Sequence, residues 1–307
     1  MIEKTLYWID SFAGYPADIV EPSKSVYETL YGAYADRFGY RFRFVDSTDL
    51  AIATGTQPGL WHAELGNLLE PGGAAYVGLI HHDPVIERRQ ETIYRLLAAQ
   101  ADMPLLNYIP GRPMICKDKF VGIETARALG LKVPTTALID CRNASPESLR
   151  QLAAGVGPYP LFIRPNDLTG GMGACSLADQ ADLEHFVAQP PYSDRSYLLQ
   201  PELKIAFDYR VYLKHDRIVA CRARRPLHGT LTTTIDGGGS VPTPQAIQTP
   251  SQVLARHLQS RYLCVDWLLC GDDHWFCEFE TGGGFKDLDQ PERDLVADAF
   301  FARLLPE

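Results

Sequence analysis

Two apolar runs near the C-terminal end place the tightest limit on what this chain can fold into. "YLCVDWLLC" (Tyr262–Cys270) and "HWFCEFE" (His274–Glu280) are separated by "GDD", a spacing that reads as a β-hairpin. The apolar pair carries three acids: Asp266 on the first strand, Glu278 and Glu280 on the second. Residues two apart on a strand share a face, so Glu278 and Glu280 point the same way. Two carboxylates on one face repel each other and lose hydration unless a cation lies between them. The plain alternative is that they project into water. "EFE" alone fits that reading, but three acids on adjacent strands fit it less well. Gly282, Gly283 and Gly284 follow after Thr281.

The 307-residue chain is long enough for two or three packed units, and its 46% apolar content is ordinary for a globular protein. The net charge of -9 argues against a general nucleic-acid or anionic-membrane partner. No run approaches the ~20 apolar residues that span a bilayer, and "MIEKTLYWIDSF" has no secretory pattern. Seven cysteines form no C-x-x-C pair, so a zinc knuckle is not expected. Most lie in apolar runs as small buried hydrophobes, and a reducing cytoplasm is the expected compartment.

The first third alternates strand and helix. "TLYWI", "YRFRFVDS", "AAYVGLI" and "MPLLN" read as strands. "SKSVYETLYGAYADRF", with Ser25 and Glu28 spaced as a capping box, and "DPVIERRQETIYRLLAAQ" read as helices. A parallel α/β unit over residues 1–112 follows, without the G-x-G-x-x-G of a dinucleotide site. "YIPGRPMI" reads as a linker. Helices and strands then lead into a glycine loop, "NDLTGGMGA", and strands dominate after Tyr197, with "DYRVYLK" and "RIVACRAR" pairing through a turn at His215-Asp216. "TPSQVLARHLQS" and "RDLVADAFFARLL" read as helices.

Charged residues recur along this second part. Lys119 opens a helix, Arg164 ends an apolar strand, and Gly170, Gly171 and Gly173 follow in a loop whose backbone N–H groups could approach phosphate oxygens. Gln200, Glu202 and Leu203 lie at the end of "LLQPEL". Asp208 and Arg210 share a strand face and could pair with each other; Arg222 and Arg224 share another, as ligands or as a solvated edge. Arg164 on its apolar strand needs a partner, structural carboxylate or ligand.

In this order, the motifs resemble the ATP-grasp enzymes, a group that includes D-alanine–D-alanine ligase, glutathione synthetase and the ribosomal-protein glutamate ligases. The resemblance spans residues 105 to 307. It implies an α/β ATP-grasp fold: an N-terminal parallel α/β domain (1–112), a central lobe (113–195) and a C-terminal lobe with the metal site (196–307), the lobes clamping a nucleotide. It implies ATP as cosubstrate, with magnesium, or alternatively manganese, held by Asp266, Glu278 and Glu280. Glu280 stands where the family commonly has Asn, and carboxylate oxygen still suits a hard cation. Lys119 and Arg164 would contact phosphates, Arg164 in place of the family's usual lysine. Gly170, Gly171 and Gly173 would close over the phosphates. Gln200 to Leu203 would meet adenine and ribose, and Asp208 would be a ribose or structural acid. Arg210, with Arg222 or Arg224, would hold an oxyanion or a substrate carboxylate. The implied activity is ADP-forming ligation of a small-molecule carboxylate to an amine through an acyl phosphate. A small-molecule kinase and a non-catalytic nucleotide-binding regulator are the alternatives. A homodimer is the default assembly. His81, His82 and Asp83 sit at the end of a strand, as substrate contacts, as a capped loop or, lacking a matching third cluster, less readily as metal ligands, and "TIDGGG" (Thr234–Gly239) is a mobile substrate loop or a plain connection.

Overall fold

The computed structural model describes residues 4–53, 59–100, 102–112, 115–226, 235–236 and 239–305. The chain begins β1 (Thr5–Asp10), α1 (Ala17–Val26), α2 (Gly32–Arg37), β2 (Arg41–Asp46), β3 (Ala51–Ala53), β4 (Gly59–His62), β5 (Gly66–Asn67), β6 (Gly73–Val77) and α3 (Pro84–Ala98). β1 lies between β2 and β6 and is parallel to both, as the strand–helix alternation requires. "MPLLN" contributes one parallel bridge, Leu105 to Ala75, rather than a full strand. The small antiparallel sheet β3-β4-β5 was not expected, because strands of two to four residues are too short to show a period.

The first helix starts at Ala17, well before the expected point, and takes in Pro22. Ser25 therefore lies inside it and caps nothing; its carbonyl accepts from Thr29 Oγ1 four residues on. A π-helical turn at Tyr27–Tyr31 joins α1 to α2. A capping box does occur, at Ser145 and Ser148.

The middle of the chain holds α4 (Lys119–Ala128), β7 (Ala137–Asp140), α5 (Pro146–Val156), β8 (Leu161–Pro165), β9 (Cys175–Leu177), α6 (Gln180–Ala188) and β10 (Ser196–Pro201). Its sheet runs β7-β10-β8-β9, all neighbours antiparallel, with α5 and α6 packed over one face through Leu149, Ala153, Leu183 and Phe186. The last part holds β11 (Phe207–Lys214), β12 (Arg217–Pro226), β13 (Ile235–Asp236), α7 (Gln245–Leu258), β14 (Tyr262–Cys270), β15 (Asp273–Glu280) and α8 (Gln290–Phe301). α7 begins earlier than the sequence suggests and runs through Pro250. The sheet order is β13-β12-β11-β14-β15. Both expected hairpins form, turning through His215 (φ 53°) and Gly271 (φ 61°).

Strand alternation splits β14 and β15 between two environments. Val265, Trp267, Phe276 and Phe279 enter a core with α7 and with Ile123 and Ala126 of α4. The acids between them face the other way. The N-terminal sheet is fastened to this last part by one shared cluster, in which Leu6, Trp8 and Tyr31 pack with Tyr262, Phe285, Phe300 and Phe301. Trp8 stacks on Tyr76 with ring centroids 3.9 Å apart. Among the described residues, no helix is long and apolar enough to cross a membrane.

Candidate active site

Asp266 sits mid-way along β14, opposite Arg210 of β11 on one side and Glu278 of β15 on the other, while Glu280 lies opposite Cys264. The ladder shifts between Asp266 and Trp267. One carboxylate oxygen from each of Asp266, Glu278 and Glu280 lies within 4.8 Å of the others.

Arginines hold part of this charge. Arg210 forks onto Asp266, with Nε and Nη2 donating at 2.8 and 2.6 Å, and reaches Glu280 at 3.3 Å. Arg224 pairs with Asp208 and also reaches Asp266 at 3.3 Å. The same-strand pair Asp208–Arg210 does not form. Residues two apart on a strand are ~7 Å apart, whereas direct cross-strand neighbours are ~5 Å apart, so each side chain pairs across the ladder. Arg222 and Arg224 are not on an edge either, since β12 lies between β11 and β13.

The carboxyl groups respond to burial and to these cations. Burial opposes ionisation of Asp266, but Arg210 and Arg224 outweigh it and hold its pKa below the usual carboxylate range. Burial raises the pKa of Glu280; Arg210 pulls it back while Glu278 and Asp266 push it further up. Burial, then the Asp266 charge, pushes Asp208 up to about 7 against the pull of Arg224 and Arg210.

Two more cations close the opposite wall. Lys119 Nζ lies 3.8 Å and Arg164 Nη1 3.6 Å from Glu278 Oε2. Lys119 Nζ also donates to the Leu168 carbonyl. The Arg164 guanidinium donates to the Cys277 carbonyl at 3.3 Å and contacts its Sγ at 3.4 Å. Lys119 is placed by Asn166, which sequence reasoning missed. The Asn166 carbonyl accepts from Lys119 N at 3.1 Å. Its side chain accepts from Phe120 N at 2.8 Å and donates to Asp118 at 3.0 Å. The only sequence signal for this clamp is an Asn directly after a strand, and that also marks any turn.

Glu278 Oε2 is buried and has no hydrogen-bond partner. A buried carboxylate oxygen with no hydrogen bond, beside two further carboxylates and with its nearest cations 3.6 and 3.8 Å away, fits a magnesium-type cation. The trio is the grouping of at least three His, Cys, Asp or Glu side chains with such geometry among the described residues. His81, His82 and Asp83 form no such group; Asp83 caps α3 by accepting from Val85 N, and His81 Nδ1 accepts from Asp83 N at 2.9 Å.

The acid trio lines one cavity of 370 Å³ together with Lys119, Arg164, Arg210, Arg224, Gly170, Gly171 and Met172. Gly170, Gly171 and Gly173 have φ of +65°, +72° and +70°, which only glycine adopts freely. Gly173 is set back from the cavity, and a Cβ there would fall 2.9 Å from Tyr192. Next to the cavity, a narrow apolar pocket is walled by Phe162, Leu203, Ile205, Leu268 and Phe276, with Gln200 and Glu202 at its edge. Gln200 donates to Thr136 Oγ1 at 2.9 Å, and Glu202 accepts from Ser176 Oγ at 2.8 Å. Arg222 stands apart from the cavity lining and pairs with Asp287 at 3.0 Å. Thr234, Gly237 and Gly238 of the expected substrate loop lie outside the described residues. All seven cysteines are free thiols, and burial pushes Cys277, in the cavity wall, up to about 12, which suits a packing role rather than a nucleophile.

No protein-family model matches the chain, and no curated protein matches its sequence. Solved structures match it along nearly its whole length. The ATP-grasp ligase PsnB, solved with a minimal precursor, is 16% identical, with 98% of this chain and 99% of that one covered at a TM-score of 0.65. The D-cycloserine synthetase DcsG is 14% identical over 98% of this chain and 100% of that one, TM-score 0.64. The macrocyclase MdnC from Microcystis aeruginosa MRC, solved with the precursor peptide MdnA, is 15% identical over 97% and 100%, TM-score 0.61. At these identities the likeness is one of architecture, and on that ground the chain has the ATP-grasp fold, a parallel α/β unit followed by two α+β lobes.

Proposed function

We propose that this protein is an ATP-dependent ligase that joins a carboxylate to an amine through an acyl phosphate, releasing ADP and phosphate. The observation that carries the reading is the convergence of three acids, two opposing cations and a glycine loop on one cavity. The apolar side chains beside it would meet an adenine ring once the 20 Å³ pocket between them widens, with Glu202 of its lining for the ribose or amino group. Asp266, Glu278 and Glu280 would hold the divalent ion, which supplies charge neutralisation for the transferring phosphoryl group. Lys119 and Arg164 reach the same point as fixed positive charges, and the backbone of Gly170 and Gly171 offers N–H groups to phosphate oxygens. Arg210 and Arg224 line the cavity floor and would orient the substrate carboxylate or hold the oxyanion formed when the amine attacks. Arg222, bound to Asp287, is the weaker candidate for that task.

PsnB and MdnC were solved with precursor peptides. The carboxylate and the amine of this protein's substrate are therefore sought on peptide side chains as well as on free amino acids. The test is ADP release against a panel of amino-acid pairs and of acidic peptides carrying lysine, with product mass recorded. A product lighter than its reactants by one water supports the ligase. ADP release with a stable phosphorylated product and no need for an amine replaces it with a kinase. Tight ATP binding with no ADP from any member of the panel points to a regulator.

A further inference from the structure

Arg195 lies in the short segment before β10 and is 4% exposed. Its guanidinium joins two parts of the molecule. Nη1 donates to Asp167 Oδ2 at 2.6 Å and to Glu87 Oε2, on α3 of the N-terminal unit, at 2.5 Å. Nη2 donates to the carbonyl of His81 at 2.8 Å and of His82 at 3.4 Å. Lys117, from the linking segment, adds a second cation, 3.2 Å from Glu87 and paired also with Glu91.

Asp167 is the residue immediately before Leu168, whose carbonyl receives the Lys119 ammonium, and the glycine turn begins at Thr169. The turn itself is held by little: Met172 N donates to the Thr169 carbonyl at 3.3 Å and Ala174 N to that of Gly171 at 3.1 Å. Its three left-handed glycines have many other conformations open to them. The base of the loop is therefore pinned at two adjacent residues, Leu168 by Lys119 and Asp167 by Arg195. The second pin reaches outside the central sheet to the N-terminal unit. A planar five-donor fork suits this task, since it serves two carboxylates and two carbonyls at once, which an ammonium cannot do in one plane.

We propose that Arg195 is a positioning residue that ties the base of the glycine loop, through Asp167, to Glu87 and the His81–His82 turn of the N-terminal unit, so that loop order depends on that unit. The consequence for nucleotide binding rests on the reading given under Proposed function. Arg195 touches no reacting atom; it acts through Asp167.

The test is hydrogen exchange of the full-length protein without nucleotide, followed by MgATP kinetics. Arg195→Gln is expected to raise exchange of residues 166–174 at least tenfold while residues 262–270 stay within twofold of wild type. Asp167→Ala, which removes the loop-side acceptor altogether and leaves the Arg195–Glu87 pair in place, is expected to give the same local rise. In both variants KM for MgATP rises at least fivefold, by more than kcat falls, and Arg195→Lys recovers part of the loss. Exchange of 166–174 within twofold of wild type in both variants overturns the proposal. So does a rise spread evenly over all strands, which marks a purely structural arginine. MgATP binding by the wild type, measured by calorimetry, reports on the nucleotide reading separately: if none is found that reading falls, and the exchange data alone still decide whether the loop is tied.

Discussion

Replacing Arg210 by Gln tests the electrostatics of the acid trio directly. Arg210 contacts Asp266 at 2.8 and 2.6 Å and Glu280 at 3.3 Å, with side-chain exposure of 11% and 6% for Arg210 and Asp266. At 2.6 Å and an effective dielectric of ~20, the gross attraction is ~6 kcal/mol. Part of this offsets desolvation, and removing one partner of such a buried pair costs about 3–5 kcal/mol. Arg224 stays 3.3 Å from Asp266 and shields part of the exposed charge, which places the expectation at the low end, ~3 kcal/mol. At about 2 °C per kcal/mol for a chain of this length, the midpoint should fall by ~6 °C. The assay is thermal and urea unfolding at pH 7.5, with and without millimolar magnesium. Without its fixed cation the trio has more uncompensated charge, so magnesium should bind the variant more tightly and stabilise it by about 1 kcal/mol more than it stabilises wild type. A loss below about 1 kcal/mol, or an equal magnesium effect in both proteins, would refute the reasoning, because Arg210 would then not be neutralising the acids.

Glu278→Gln should lower ADP release by at least tenfold, or ~1.4 kcal/mol of barrier, and should also cost stability, because Glu278 is the carboxylate facing the buried cations Lys119 and Arg164; unchanged turnover in the folded variant would end the metal assignment. Gly282→Ala should destabilise by about 1–3 kcal/mol in urea unfolding, because its Cβ would lie 2.2 Å from Tyr76 Oη; a neutral effect would mean that this contact yields freely. Burial pushes the Asp10 carboxyl up to about 7, against hydrogen bonds from Ser11 N and Gln90. The folded state thus keeps a proton that the unfolded chain releases near pH 4, so stability should fall as pH rises from 4 to 7. Asp10→Asn should remove up to a few kcal/mol of that slope; an unaltered pH profile of urea unfolding would count against it.

Legibility in the sequence followed the range of each interaction. The C-terminal hairpin could be read because its two short apolar runs, its aromatic residues and its Gly-Asp turn all act within a few residues. The period of two along a strand placed Glu278 and Glu280 on a common face; that Asp266 joins them is a matter of hairpin register. The glycines of the loop and the Asp83 cap of α3 were local signals too. The start of α1 was misjudged because Ser25 and Glu28 have the spacing of a capping box, a pattern that also occurs inside a helix, and here the helix already runs through both from Ala17. The β3-β4-β5 sheet left no period to find.

The sequence by itself determined which residues are apolar, which alternate, and which acids must share a side of the hairpin, because backbone geometry turns neighbours in the chain into neighbours on a face. Tertiary structure alone decided that Arg210 pairs with Asp266 and Arg224 with Asp208, that Arg222 turns away to Asp287, and that Arg195 joins Glu87 to Asp167. Those partners are separated by 16 residues or more of chain. Only register and the packing of one sheet on another bring them within hydrogen-bond reach, and a buried charge pairs with whatever opposite charge that packing sets beside it.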